Sequence, residues 1–344
     1  MSRYTGALLG FGLGVGLALL APQRAQAGSY TFTTLNNPGD PTFNQLLGIN
    51  NAGTIAGYFG SGAAGHPNKG YTLTPPSTYT NENFPGSAQT QVIGINNTGV
   101  TVGFWSNTNN GIGLDSNFGF VDNHGVFTNV NDPATPSASP SFNNLLGVND
   151  HNVAVGFYND AAGNSHSYTY DIANGQFTPI PLVAASSLTA SAINNSGEIA
   201  GYYTSAITGA TLGFIDNNSN GIFTSVNAPG ATFTQLFGLN NEGIAVGVAT
   251  INNVTDGIVY NTLNDSFNIV NDPFASPGTT TINGINDAGE IVGFYTDAAG
   301  NTDGFLATPV PEPGSFALIG SGLLALGLVR IGQRPPSRRR RPVG

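Results

Sequence analysis

Short apolar runs alternate with clusters of Asn, Gly, Ser, Thr and Pro along almost the whole 344-residue chain, and one unit of that pattern recurs. In residues 192–203 an apolar run ends on Asn194-Asn195, a glycine follows at Gly197, and a second apolar run closes on Tyr202-Tyr203. The other copies occupy 48–59, 94–105, 147–158, 238–249 and 284–295. Their aliphatic anchors, Ile49, Ile95, Val148, Ile193, Leu239 and Ile285, are separated by steps of 46, 53, 45, 46 and 46 residues. A fixed period of this length marks a repeat architecture.

Each copy predicts a β-hairpin. Asn and Asp tolerate left-handed backbone and bond their own main chain, and glycine enters that region without a steric cost. Gly53, Gly99, Gly197, Gly243 and Gly289 take the turn position, and Asn152 takes it in the third repeat. Two more strands follow each hairpin. The third carries a small residue and usually an aromatic, as in Gly70-Tyr71, Gly119-Phe120 and Gly213-Phe214. The fourth is predicted over 126–130, 222–226 and 266–270, and stops at Asn-x-Pro, because proline cannot continue a ladder. Four strands per repeat match one propeller blade. The sixth repeat lacks its fourth strand, while residues 30–36 ahead of the first repeat have that strand's pattern. Pairing the two would remove two open edges. The expected fold is all-β: a six-bladed β-propeller over residues 28–308, closed by its N-terminal strand.

Charge narrows the partners. Residues 28–310 hold 18 of the 19 acidic residues but only Lys69 among the nine bases. So acidic a surface repels phosphate backbones and anionic headgroups, which excludes nucleic-acid binding. There is no cysteine, hence no disulfide framework or thiolate metal site.

The two ends carry addresses. Residues 1–27 have a basic start at Arg3, an apolar centre and an A-x-A cleavage pattern with Ala25 and Ala27, as in a secretory signal peptide. Residues 309–344 place Pro311-Glu312-Pro313 before an apolar segment over 314–329 and an Arg-rich end beginning at Arg330. That order predicts a short helix transiently anchored in the membrane with its basic end in the cytoplasm. The segment resembles the PEP-CTERM sorting signal of exopolysaccharide-producing Gram-negative bacteria. The resemblance implies export, recognition by an exosortase, removal of the tail and delivery to the outer surface or extracellular matrix. The repeats are similar to extracellular HAF repeats, although x-Gly-Phe stands where those have His-Ala-Phe. This second resemblance implies a propeller module and no particular activity.

Candidate chemistry is sparse. Asp216, Asn218 and Asn220, ahead of Gly221, offer alternate oxygens like a calcium loop, against the simpler reading of a polar turn. Calcium is the sole cofactor suggested. Asp160 and Asp297 share the sequence Asp-Ala-Ala-Gly-Asn in opposite repeats, and turn formation accounts for it. Glu198 and Glu290 are expected to point to solvent. His66, His124, His151 and His166 occupy unrelated repeat positions and read as loop residues. Gln45, Gln91, Asn144, Thr189, Gln235 and Thr281 all lie four residues before the aliphatic anchor. If strand one is innermost, they rim the central channel and could bond a glycan or water. The adjacent aromatics ending strand two are expected to be mostly core. No catalytic residues are assigned. The expected function is a non-enzymatic surface or matrix protein binding exopolysaccharide or another protein, the alternative being a glycan-acting hydrolase or lyase at the channel mouth.

Overall fold

The computed structural model describes residues 30–137, 140–181, 185–217 and 222–310. The signal-peptide and sorting-tail residues, Ala25, Ala27, Pro311, Glu312, Pro313 and Arg330, lie outside them. The described chain forms six four-stranded antiparallel sheets arranged as the blades of a six-bladed β-propeller, with no helix among the described residues. Blade one comprises Asn44–Ile49, Ile55–Phe59, Lys69–Thr74 and Thr78–Asn81, in that order from axis to rim. The ring closes as the repeat count requires. Tyr30–Thr34 pairs antiparallel with Thr302–Pro309 and becomes the outer strand of blade six. The strand is shorter than the predicted 30–36 because Asn36 turns its side chain onto Asp303 Oδ1, at 2.6 Å, after Leu35 N makes a last bond to Gly304 O.

The turn between strands one and two takes the predicted form. The glycines at 53, 99, 197, 243 and 289 have φ between +73° and +88°, and Asn152 replaces them at +58°. All six inner strands also carry a bulge that the periodicity did not reveal, for example between Val92 and Gly94. Immediately after it, backbones of neighbouring inner strands nearly touch. A Cβ on Gly94 would come within 2.8 Å of Leu146 O in the next blade. Inside each blade, the strand-two glycine lies under a strand-one carbonyl, and a Cβ on Gly103 would collide with Gln91 O.

Because each blade packs both faces on its neighbours, the core divides into one apolar cluster per interface. The interface of blades four and five holds eleven buried residues, including Leu236, Ile258 and Tyr260. That of blades one and two holds only Ala56, Val92 and Phe120, supplemented by the half-buried Phe84, Trp105 and Phe127. Phe84 and Trp105 stack at 4.3 Å with planes 2° apart. Here the apolar seal is thinnest, and beside it the surface is hollow.

Candidate functional site

The two faces of the ring differ because the connections on them differ. On one face lie the hairpins joining strands one to two, of four or five residues in every blade, and those joining strands three to four, of two to four residues in blades one to five. On the other lie the connections from strand two to three and from strand four to the next blade. These range from two residues (252–253) to eleven (107–117) and twelve (131–142). The longest, 131–142, and the eleven-residue 107–117 both belong to the second repeat and account for its 53-residue step.

The hairpin face carries two closed rings of hydrogen bonds around the axis. In the first, the Asn after each aliphatic anchor uses both ends of its carboxamide. Asn96 Oδ1 accepts from Thr98 N, Thr98 Oγ1 and Val100 N, which shapes its own turn. Its Nδ2 donates to Asn149 O of the next blade at 3.0 Å. The same bond runs from Asn50 to Asn96, Asn149 to Asn194, Asn194 to Asn240, Asn240 to Asn286 and Asn286 to Asn50, completing the circle. All six residues are buried.

The second ring uses the following residue, in the order Asn51, Asn97, Asp150, Asn195, Asn241, Asp287. Each backbone N–H donates to the next side chain's Oδ1, at 2.7–2.9 Å. Asp150 Oδ2 also accepts from Asn97 and Asn195, and Asp287 Oδ2 from Asn51 and Asn241. Burial works to raise the Asp150 carboxyl, but bonds from Asn195 and Asn97 prevail and hold it below its ordinary range. Glu198 and Glu290, expected to face solvent, instead accept from Asn194 Nδ2 and Asn286 Nδ2 at 2.8 Å. The first-ring Asn is within reach four residues back, so each carboxylate folds onto its own turn.

The six residues predicted to rim the channel occupy one height near the other mouth, each paired across the blade with the first aromatic position of strand two. Gln45 faces Tyr58 and accepts its hydroxyl at 2.6 Å. Gln91 faces Phe104 and donates to Asn68 Oδ1 at 2.7 Å. Asn144 is buried opposite Phe157, and its Oδ1 has no partner. Thr189 is buried opposite Tyr202, while Gln235 and Thr281 are half-buried opposite Val248 and Phe294. Of the six, only Gln91 borders the cavity that opens on the loop face between blades one and two.

That cavity, of about 300 Å³, lies over the thin interface of blades one and two. Its walls come from loop 60–68, loop 107–117 and Phe142 at the entry to blade three. Both loops are fastened from behind. Asn68 donates to Gly60 O and receives Gln91. Asp115, 5% exposed, gathers Gln89 Nε2, Thr108 Oγ1 and both the backbone and side-chain nitrogens of Asn110. Burial pulls its carboxyl upward, yet these bonds keep it below the usual range. Sequence reasoning missed this site. The long second step was its one visible signal.

Other carboxylates shape loops. Asp160 binds the main chain at Ala162 and Asn164 and meets His166 Nε2 at 2.9 Å, and the His166 bond is the main cause of its lowered pKa. Asp297 repeats the turn through Ala299 and Asn301. Glu82 and Asp122 form an acid pair absent from the sequence reading. Burial raises both pKa values, and Glu82 bonds Thr72 and Thr101 across blades one and two. Neither lines the cavity. Of the calcium-loop candidates, Asp216 sits within the strand Thr211–Asn217 and burial raises its carboxyl, while Asn218 and Asn220 fall outside the described residues.

Fold and ends thus define a propeller with an export tail. The PEP-CTERM protein-sorting motif matches residues 309–331, which marks an exported protein of Gram-negative type and implies exosortase processing. No curated protein matches the chain. Among solved structures, it is similar to a putative TolB from Agrobacterium tumefaciens, with 13% identity and a TM-score of 0.51, over 82% of this chain and 100% of that one. It is also similar to TolB from Acinetobacter baumannii, with 11% identity and a TM-score of 0.47, over 80% of this chain and 66% of that one. For Trypanosoma rangeli sialidase the values are 8% and 0.45, over 88% and 62%. At such identities the likeness is one of fold.

Proposed function

We propose that the chain is a non-enzymatic protein of the outer surface or extracellular matrix, whose loop face binds exopolysaccharide. The observation behind this reading is the asymmetry of the ring. The hairpin face directs its ring amides and carboxylates into bonds with neighbouring blades. The loop face varies in length and opens a walled cavity, where binding residues on a rigid scaffold are expected. The sorting motif supports a site of action outside the cell. Asp115, Asp160 and Asp297 accept bonds from their own loops and have lowered pKa values, which suits turn-shaping anions better than a general acid. In this reading the repeats are distant relatives of HAF repeats, and the matrix polysaccharide is the partner. The test is binding of the full chain to the host's purified exopolysaccharide, with and without calcium. Saturable binding without release of reducing ends is expected. Chain cleavage would replace this reading by a hydrolase or lyase, and absence of binding by a folded sample would remove the polysaccharide.

A further inference from the structure

We propose that the cavity between blades one and two binds a neutral sugar unit of that polysaccharide, an inference that rests on the reading above. Its chemistry excludes other ligand classes one by one. No Lys, Arg or His is among the described lining residues, so nothing there attracts phosphate or carboxylate. The one lining carboxylate, Asp115, is already surrounded by neutral donors, so it offers little to a cation. A purely apolar ligand would leave the lining amides without partners.

What remains is a mixture that suits a pyranose. Half-buried side chains with free hydrogen-bonding capacity border the space. The Gln91 carboxamide has a single partner, the Ser61 hydroxyl accepts one long bond from Ala63 N, and the Asn117 side chain makes no bond to the described residues. A carboxamide presents a donor and an acceptor side by side, matching adjacent sugar hydroxyls. Phe104 and Phe142 supply apolar surface for the C–H face of the ring. About 300 Å³ is at the small end of ligand pockets and suits about one or two sugar rings rather than a long segment. The walls are set in advance by Asn68 and Asp115, so little ordering is needed on binding. Ile112, 78% exposed, stands on the lining as an apolar lip.

The experiment titrates the full chain with glucose, galactose, mannose, fucose and N-acetylglucosamine by ligand-observed NMR, and with the exopolysaccharide in parallel. At least one neutral sugar is expected to bind and to compete with the polysaccharide. Asn117→Ala and Gln91→Ala should each weaken both about five- to tenfold. Gln235→Ala, at the same height on blade five, should change neither. Polysaccharide binding that is insensitive to Asn117→Ala, Gln91→Ala and free sugars would overturn the cavity assignment and leave the wider reading standing. Sugar binding lost in those variants, without polysaccharide binding, would do the reverse. Preference for galacturonate over galactose, or for a neutral peptide over every sugar, would overturn the assignment too.

Discussion

Asn96→Asp tests whether the inner asparagine ring binds the blades together. The change is nearly isosteric and separates the two ends of the carboxamide. An aspartate oxygen can still accept from Thr98 and Val100, so the turn survives. The group facing Asn149 O and Asn152 Oδ1, now 3.0 and 3.2 Å from a donor, becomes an oxygen. Losing one net hydrogen bond costs ~1 kcal/mol, and leaving a buried carbonyl without a donor adds ~1–2 kcal/mol. With oxygen set against oxygen, at a position 3% exposed, the sum is about 3 kcal/mol at neutral pH. The new carboxyl titrates higher in the folded state than in the unfolded one. Its penalty is therefore absent below the ordinary carboxylate value of ~3.9, where the protonated acid can donate to Asn149 O, and grows as pH rises towards the folded value. Urea denaturation of wild type and variant at pH 3 and pH 7 measures the difference. A loss within 0.5 kcal/mol at pH 7, or an equal loss at both pH values, would show that the ring bond contributes nothing of the kind argued.

Three further outcomes are expected. Gly103→Ala, which drives a Cβ into Gln91 O, should destabilise far more than Gly125→Ala, where nothing lies near the added carbon and only the φ of +88° opposes it; paired melting curves decide this. Asp272 is 3% exposed, its Oδ2 has no partner, and burial with Asp303 nearby raises its pKa, so its charge opposes folding above the ordinary carboxylate value. Asp272→Asn should raise the melting temperature by about 2–4 °C at pH 7 and leave it unchanged near pH 3. Asp115→Ala should make loop 107–117 the first site of limited proteolysis, and wild type should show the same cleavage only as pH falls through the lowered Asp115 value, because a depressed carboxyl supports the loop above it.

The blades and their closure were legible because they depend on local rules. Gly53 and Asn152 announce the turn through backbone preference alone, and the missing fourth strand of the last repeat leaves the strand at 30–34 one place to go. The asparagine ring was hidden behind those same letters. Asn96 is explained as a turn residue by its oxygen, and nothing in a linear pattern reveals where its nitrogen points. Glu198 was misjudged for a related reason: it follows a turn glycine, yet its length lets it fold back onto Asn194. The cavity was least visible, since loops 60–68 and 107–117 have no period and meet only after blades one and two are side by side. The channel-rim positions were found through their spacing, but equal spacing did not give equal surroundings: Asn144 is buried while Gln91 borders open space.

The order Asn, Asn, Asp, Asn, Asn, Asp in the outer ring sets a stoichiometry. A carboxylate only accepts, so Asp150 takes one amide from each neighbour, and Asp287 does the same. Six asparagines would leave side-chain amides competing for oxygens already occupied by backbone N–H groups, and adjacent aspartates would repel. Two acids among six is the smallest number that gives every asparagine of the ring an acidic neighbour. It is also two identical sets of three. Half of the molecule therefore carries a full complement of donors and acceptors for a second half like itself, as expected if an ancestral three-repeat chain once completed its circle by pairing with its twin.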